Sequence, residues 1–189
     1  MLASGMDKLR NLLSCNTYNG AQHTHILIEE ADAAAKLKKV TLLAPKGDWI
    51  SFDPDKGRGT AALMSPLFSV GRVHDHHRAC DSVIMVNRNG QLTIVYLDLK
   101  SGNPVGYAGQ FKSTRQFVRY ALGLLEEFHQ EKLTISDERY VILHSGKMPL
   151  LNKTTTVPKP EKIGKSKPDA AYKREVTNPA RLYLKELLA

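Results

Sequence analysis

The sequence predicts an α/β fold, a mixed β-sheet flanked by helices and followed by a basic C-terminal extension. Three observations carry this. Two apolar, β-branched runs, residues 80–86 and 92–100, flank Asn87-Arg88-Asn89-Gly90, and Asn-Gly between such runs is a strong hairpin signal. Residues 107–129 then place Tyr107, Phe111, Thr114, Val118, Ala121, Leu125 and Phe128 at intervals of three and four, the pattern of a helix with one buried stripe. A short apolar run at residues 140–143 follows as another strand. The order strand–strand–helix–strand suits a sheet covered by helices.

The other elements follow in chain order. Residues 6–14 have the spacing of a short amphipathic helix. Thr24 is placed to cap a second helix over residues 26–38, which has an alanine run at its centre. A strand over residues 23–28 is the alternative, because the apolar run there is too short to decide. Residues 40–44 and 49–52 read as strands around Pro45-Lys46-Gly47-Asp48. Residues 53–60 are punctuated by Pro and Gly and read as a loop, and residues 61–79 show no period. Gly102-Asn103-Pro104 breaks the strand before the long helix. Residues 152–170 are polar, basic and Pro-punctuated, as in a loop or arm, and a final helix is expected over residues 181–188, after Pro179. The division this suggests is a core over residues 1–150 and a basic arm and helix over residues 151–189.

The hairpin has a chemical consequence. With Asn89-Gly90 as a two-residue loop, Arg88 pairs with Gln91, and Asp81 falls directly opposite Asp98. Alternation puts Lys100 on the face of Asp98. Opposed like charges destabilise a sheet, so a cation belongs between them. A divalent metal with Lys100 beside it meets that need.

Composition limits the alternatives. The chain is 42% hydrophobic over 189 residues, enough for a sizeable core. No apolar run approaches membrane-spanning length, and no secretory h-region is visible. Cys15 and Cys80 make no disulfide framework, so a cytoplasmic protein with free thiols is expected. His74, His76, His77 and Cys80 lack the second pair that a closed zinc site needs, and read as a polar loop. The net charge is +8, and residues 145–189 hold ten Lys/Arg against four Asp/Glu. Such a segment suits contact with a polyanion, and equally a solvated tail.

Asp81 with Asp98-Leu99-Lys100 resembles the signature of the PD-(D/E)xK nuclease superfamily, an acid on one strand and (D/E)-x-K on the next. The resemblance covers about residues 71–145, and Cys80 stands where some members have a proline. It implies a restriction-endonuclease-like core and a divalent-metal-dependent nuclease. Asp81 and Asp98 would hold Mg²⁺, with Mn²⁺ as a substitute, Leu99 would lend its backbone carbonyl, and Lys100 would assist the attacking water. It further implies an ordering role for Gln110 on the helix and an extra acid from an early helix. There Glu30 shares a face with Ile26, Ala33 and Leu37, and Asp53 competes as a loop acid. Ser101 is a candidate phosphate contact. Lys112 and Arg115, with Arg119 farther out, form a helix stripe suited to a nucleic-acid backbone. DNA is expected ahead of RNA, with a homodimer or a place as a subunit of a larger defence or repair complex as the expected assembly. The alternative is a nuclease-fold protein without the chemistry, binding nucleic acid or scaffolding a complex.

Overall fold

Strand pairing about Asn89-Gly90 organises the chain. The computed structural model describes residues 4–70, 74–102, 105–145 and 160–189. In chain order the elements are α1 (Gly5–Leu12), β1 (Asn16–Asn19), β2 (His25–Glu29), β3 (Lys39–Leu43) and β4 (Trp49–Phe52). Then come α2 (Pro54–Gly57), β5 (Ser82–Arg88), β6 (Gln91–Ser101), α3 (Tyr107–His129) and β7 (Thr134–Ser145). The chain ends with α4 (Pro160–Gly164), β8 (Tyr172–Glu175), β9 (Ala180–Tyr183) and α5 (Leu184–Leu187). No helix among the described residues is long and apolar enough to cross a membrane.

The hairpin has the expected register, Arg88 against Gln91 through Ser82 against Leu97. Asn89 and Gly90 both take positive φ, 54° and 82°, as a two-residue turn matched to strand twist requires. β5 and β6 are the middle of a six-stranded mixed sheet in the order β1-β4-β5-β6-β7-β8. β4, β5 and β6 run antiparallel, whereas β7 lies parallel to β6 after the α3 crossover, and β8 lies parallel to β7. A second sheet, β2-β3-β9, covers one face of the first. The other face packs under α1 and α3.

Alternation along the central strands separates these two cores. Leu92, Ile94 and Tyr96 of β6 face α3 with Val83, Met85, Tyr140 and Ile142. Val95, Leu97 and Leu99 face the second sheet. Phe111, Thr114, Val118, Ala121 and Leu125 of α3 are buried as expected, together with Ser113 and Leu122. Phe128 is instead 74% exposed. A Ser4–Asp7 capping box starts α1.

Four expectations are corrected. Residues 26–38 form no helix: β2 ends at Glu29, and residues 30–38 loop into β3. The helix preference of alanine is worth under about 1 kcal/mol per residue. Burying Ile26 and Ile28 is worth roughly 1.5–3 kcal/mol each. Residues 53–60 contain the short α2, capped by Asp53, whose carboxylate accepts the Lys56 N–H at 3.0 Å. That leaves Asp53 a capping role. The strand at residues 140–143 extends over Thr134–Ser145, since its polar first half pairs along β6 on a half-exposed edge. Residues 181–188 split into β9, paired parallel with β3, and the brief α5.

Much of the C-terminal extension is built into the fold. β8 is an edge of the large sheet, and Leu182, Leu184 and Leu187 are buried in the second core. Asn103, Pro104 and residues 152–159 of the expected arm lie outside the described residues.

Candidate active site

Asp81 immediately precedes β5, in line with the register that sets it opposite Asp98. Both positions share the alternation of Val83 and Tyr96, so they face the α3 side of the sheet. Asp98 is fully buried, and neither carboxylate oxygen has a well-angled hydrogen bond among the described residues. Its Oδ2 lies 2.7 Å from Lys100 Nζ in an ion pair. Asp81 Oδ2 accepts the Leu99 N–H at 2.5 Å. Leu99 therefore engages the site through its amide, while its side chain points into the second core.

These surroundings disturb both acids. Burial, and then the charge of Asp98, push Asp81 well above the usual carboxylate range. Burial also raises Asp98, against the opposing pull of Lys100. Two neighbouring carboxylates out of water need a shared proton or a cation. Among the described residues no group of three or more His, Cys, Asp or Glu side chains gathers at ligating range. Two carboxylates with open coordination for water suit a hard octahedral cation such as Mg²⁺, which keeps several waters.

Gln110 links the site to the chain around it. Its Oε1 accepts from Lys100 Nζ at 2.9 Å, and its Nε2 donates to the Ala79 carbonyl at 3.1 Å. The side chain thus braces the lysine and holds the segment leading into Asp81. Two further contacts fasten that segment. Cys80 N–H donates to Thr114 Oγ1 at 3.0 Å, and Ser113 Oγ donates to the His76 carbonyl at 2.6 Å. Gln110, Ser113 and Thr114 lie three and four residues apart, so one helix face carries all three anchors. Sequence reasoning missed Ser113 and treated Thr114 as packing. Polar residues interrupting an apolar stripe were the available signal.

Other candidates fare differently. Glu30 follows a strand of the second sheet rather than sitting on a helix, and its charge is the smallest of the influences that raise Asp81 and Asp98, after burial. Its Oε1 accepts the Asp32 N–H at 2.9 Å. Ser101 Oγ accepts the Lys36 N–H at 2.6 Å and so docks a loop. Arg115 is half-buried, with its Nε lacking a partner among the described residues, and its charge acts on the Tyr140 hydroxyl, which burial pushes up to about 12. Arg119 pairs with Glu138 at 3.1 Å. Of the expected stripe on α3, Arg115 packs toward Tyr140 on β7, whereas Arg119 stays exposed and pairs with Glu138. Lys112 remains exposed.

Two of the histidines tie their loop back on itself. His76 and His77 Nε2 each contact the Ser69 carbonyl, at 3.0 and 3.2 Å. Cys80 is buried with its thiol directed at the Ser82 carbonyl, and both cysteines are free. Compared with known proteins, the chain matches no family model, no curated protein and no solved structure.

Proposed function

We propose that the chain is a divalent-metal-dependent nuclease with a restriction-endonuclease-like, PD-(D/E)xK-type core, hydrolysing phosphodiester bonds in nucleic acid, DNA ahead of RNA. One observation carries the reading. Asp98 is wholly buried, its Oδ2 lies 2.7 Å from Lys100 Nζ while its Oδ1 has no partner among the described residues, Asp81 stands opposite it, and Lys100 is braced between Asp98 and Gln110. One ammonium shared by two neighbouring carboxylates leaves negative charge uncompensated, and uncompensated buried charge is costly unless a cation or a proton joins it. The sequence of hairpin, crossover helix and parallel strand supports the finer fold assignment.

Asp81 and Asp98 would hold Mg²⁺ or Mn²⁺, which supplies charge neutralisation at a phosphate and a more acidic bound water. Lys100 has three N–H donors, and Asp98 and Gln110 occupy two directions. The third is available to a phosphate oxygen or a water, and the side chain is 24% exposed. A fixed ammonium there stabilises charge that develops on the phosphate. Gln110 gives the same ammonium a second, neutral partner and so fixes its position. The Leu99 N–H orients one Asp81 oxygen, leaving the other to the cation.

The decisive experiment is incubation of the purified chain with single- and double-stranded DNA and RNA in Mg²⁺ or Mn²⁺. Cleavage that is lost in EDTA is expected. A chain that binds neither cation in a calorimetric titration removes the reading. Binding of metal and nucleic acid with no cleavage of any substrate would make it a nuclease-fold protein that binds nucleic acid or scaffolds a complex.

A further inference from the structure

With Arg115 and Arg119 turned to Tyr140 and Glu138, the α3 stripe offers a polyanion little free charge. A different set of cations lies on the loop that docks on Ser101, the residue after Lys100. Residues 30–38, between β2 and β3, are pinned by Leu37, which is 1% exposed in the second core. The Lys36 N–H donates to Ser101 Oγ at 2.6 Å, one residue beyond Lys100. The Lys38 N–H donates to Asn178 Oδ1 at 3.1 Å, and its carbonyl accepts the Glu30 N–H at 3.0 Å. Ser101 directly follows Lys100 at the end of β6, so the loop docks at the end of the sheet that carries the site.

The loop's acids and lysines are used differently. Glu30 Oε1 and Asp32 Oδ1 both accept N–H groups of the loop itself, from Asp32 and Ala34, each at 2.9 Å. Glu29, just before it, pairs with Lys39 at 3.4 Å. Lys36 and Lys38 are exposed and make no ion pair among the described residues, although their backbones are fixed at both ends. Two exposed lysines with no ion pair among the described residues, on a loop whose backbone is anchored, are available to an external anion.

We propose that residues 30–38 are a backbone-gripping loop, in which Lys36 and Lys38 contact phosphates of a nucleic acid lying across Asp81, Asp98 and Lys100. This rests on the nuclease reading and adds to it the surface that holds the substrate. The contacts are sequence-independent, since lysine at a phosphate reads charge and not bases. Ser101 and Asn178 act as the posts that carry the loop. Each phosphate contact releases condensed counterions, which makes it measurable as a salt dependence.

Binding of fluorescently labelled duplex and single-stranded DNA by the full chain, in EDTA so that nothing is cut, tests this across a range of salt. The Lys36→Gln/Lys38→Gln double variant is expected to lower the magnitude of the log K against log salt slope by roughly 1.8 for duplex or 1.4 for single strand. Arg119→Gln should leave that slope unchanged. The lysine variant should melt like the parent, since neither side chain has a partner to lose. An unchanged slope in the double variant overturns the loop proposal while leaving metal-dependent cleavage by the parent intact. A parent that binds neither form of DNA overturns the proposal and the nuclease reading together. Absence of cleavage with a reduced slope overturns the nuclease reading alone and keeps the loop as a nucleic-acid surface.

Discussion

At the scale of single residues, the pair Asp98 and Lys100 separates metal binding from catalysis. Asp98→Asn removes a charged ligand, so Mg²⁺ or Mn²⁺ affinity and cleavage should both fall. Lys100→Ala leaves both carboxylates and removes the ammonium 2.7 Å from Asp98, so metal affinity should persist or rise while cleavage drops. Losing such a group costs on the order of a hundredfold to ten-thousandfold in rate. Calorimetric titration beside a cleavage assay reads both quantities, and parent-like cleavage by Lys100→Ala would remove the main support for its role. A pH dependence follows from the raised pKa values of Asp81 and Asp98. The folded state holds their protons more tightly than the unfolded chain does. Their contribution to stability in metal-free protein therefore declines as pH rises from the ordinary carboxylate value, about 4, through the raised values. Asp81→Asn keeps an oxygen to accept the Leu99 N–H and removes the repulsion. In EDTA at neutral pH its Tm should exceed that of the parent by about 2–4 °C, the shift that about 1 kcal/mol makes in a chain of this size. Added Mg²⁺ should raise the parent's Tm more than the variant's. A Tm equal to or below the parent's would show that the two charges do not strain the fold.

At the scale of elements, the site depends on how closely the segment before β5 approaches α3. A Cβ added at Gly109 would collide with Asp75, so glycine permits that approach one residue before Gln110. Gly109→Val should push the segment off the helix, at a cost of about 1–3 kcal/mol typical of overpacking. It should also slow cleavage by loosening the contacts of Ala79 and Cys80 that lead into Asp81. Combining it with Asp75→Gly should restore much of both, since the Asp75–Arg78 pair lost thereby is an exposed one at 3.0 Å. Thermal melts and initial rates for the two single variants and the double form a complete cycle. If the double variant is as impaired as Gly109→Val, the collision is not the cause.

At the scale of the whole molecule, the C-terminal residues hold the architecture together. β8 closes the large sheet beside β7, β9 pairs with β3, and Leu184 and Leu187 fill the second core. Deleting residues 172–189 should therefore abolish cooperative unfolding in a circular-dichroism melt, rather than only weaken substrate binding as a loose basic tail would. A truncated chain with a parent-like melt would contradict that role. The sequence by itself determined the hairpin register, hence the facing of Asp81, Asp98 and Lys100, because a two-residue turn sets pairing through local geometry. It also determined α3 from Tyr107 to His129, because a long apolar period has one helical solution. Tertiary structure decided what depends on distant partners. β2 is a strand because β3 and the large sheet offer its isoleucines a core, although residues 26–38 carry a strong helix former at their centre. Arg119 is tied to the sheet's flank because Glu138 reaches it, and Lys38 is fixed in its loop because Asn178 reaches its N–H from the far end of the chain. Local propensity cannot register contacts that form only when distant segments are packed, and the loop that carries Glu30 and Lys36 is held by just such contacts.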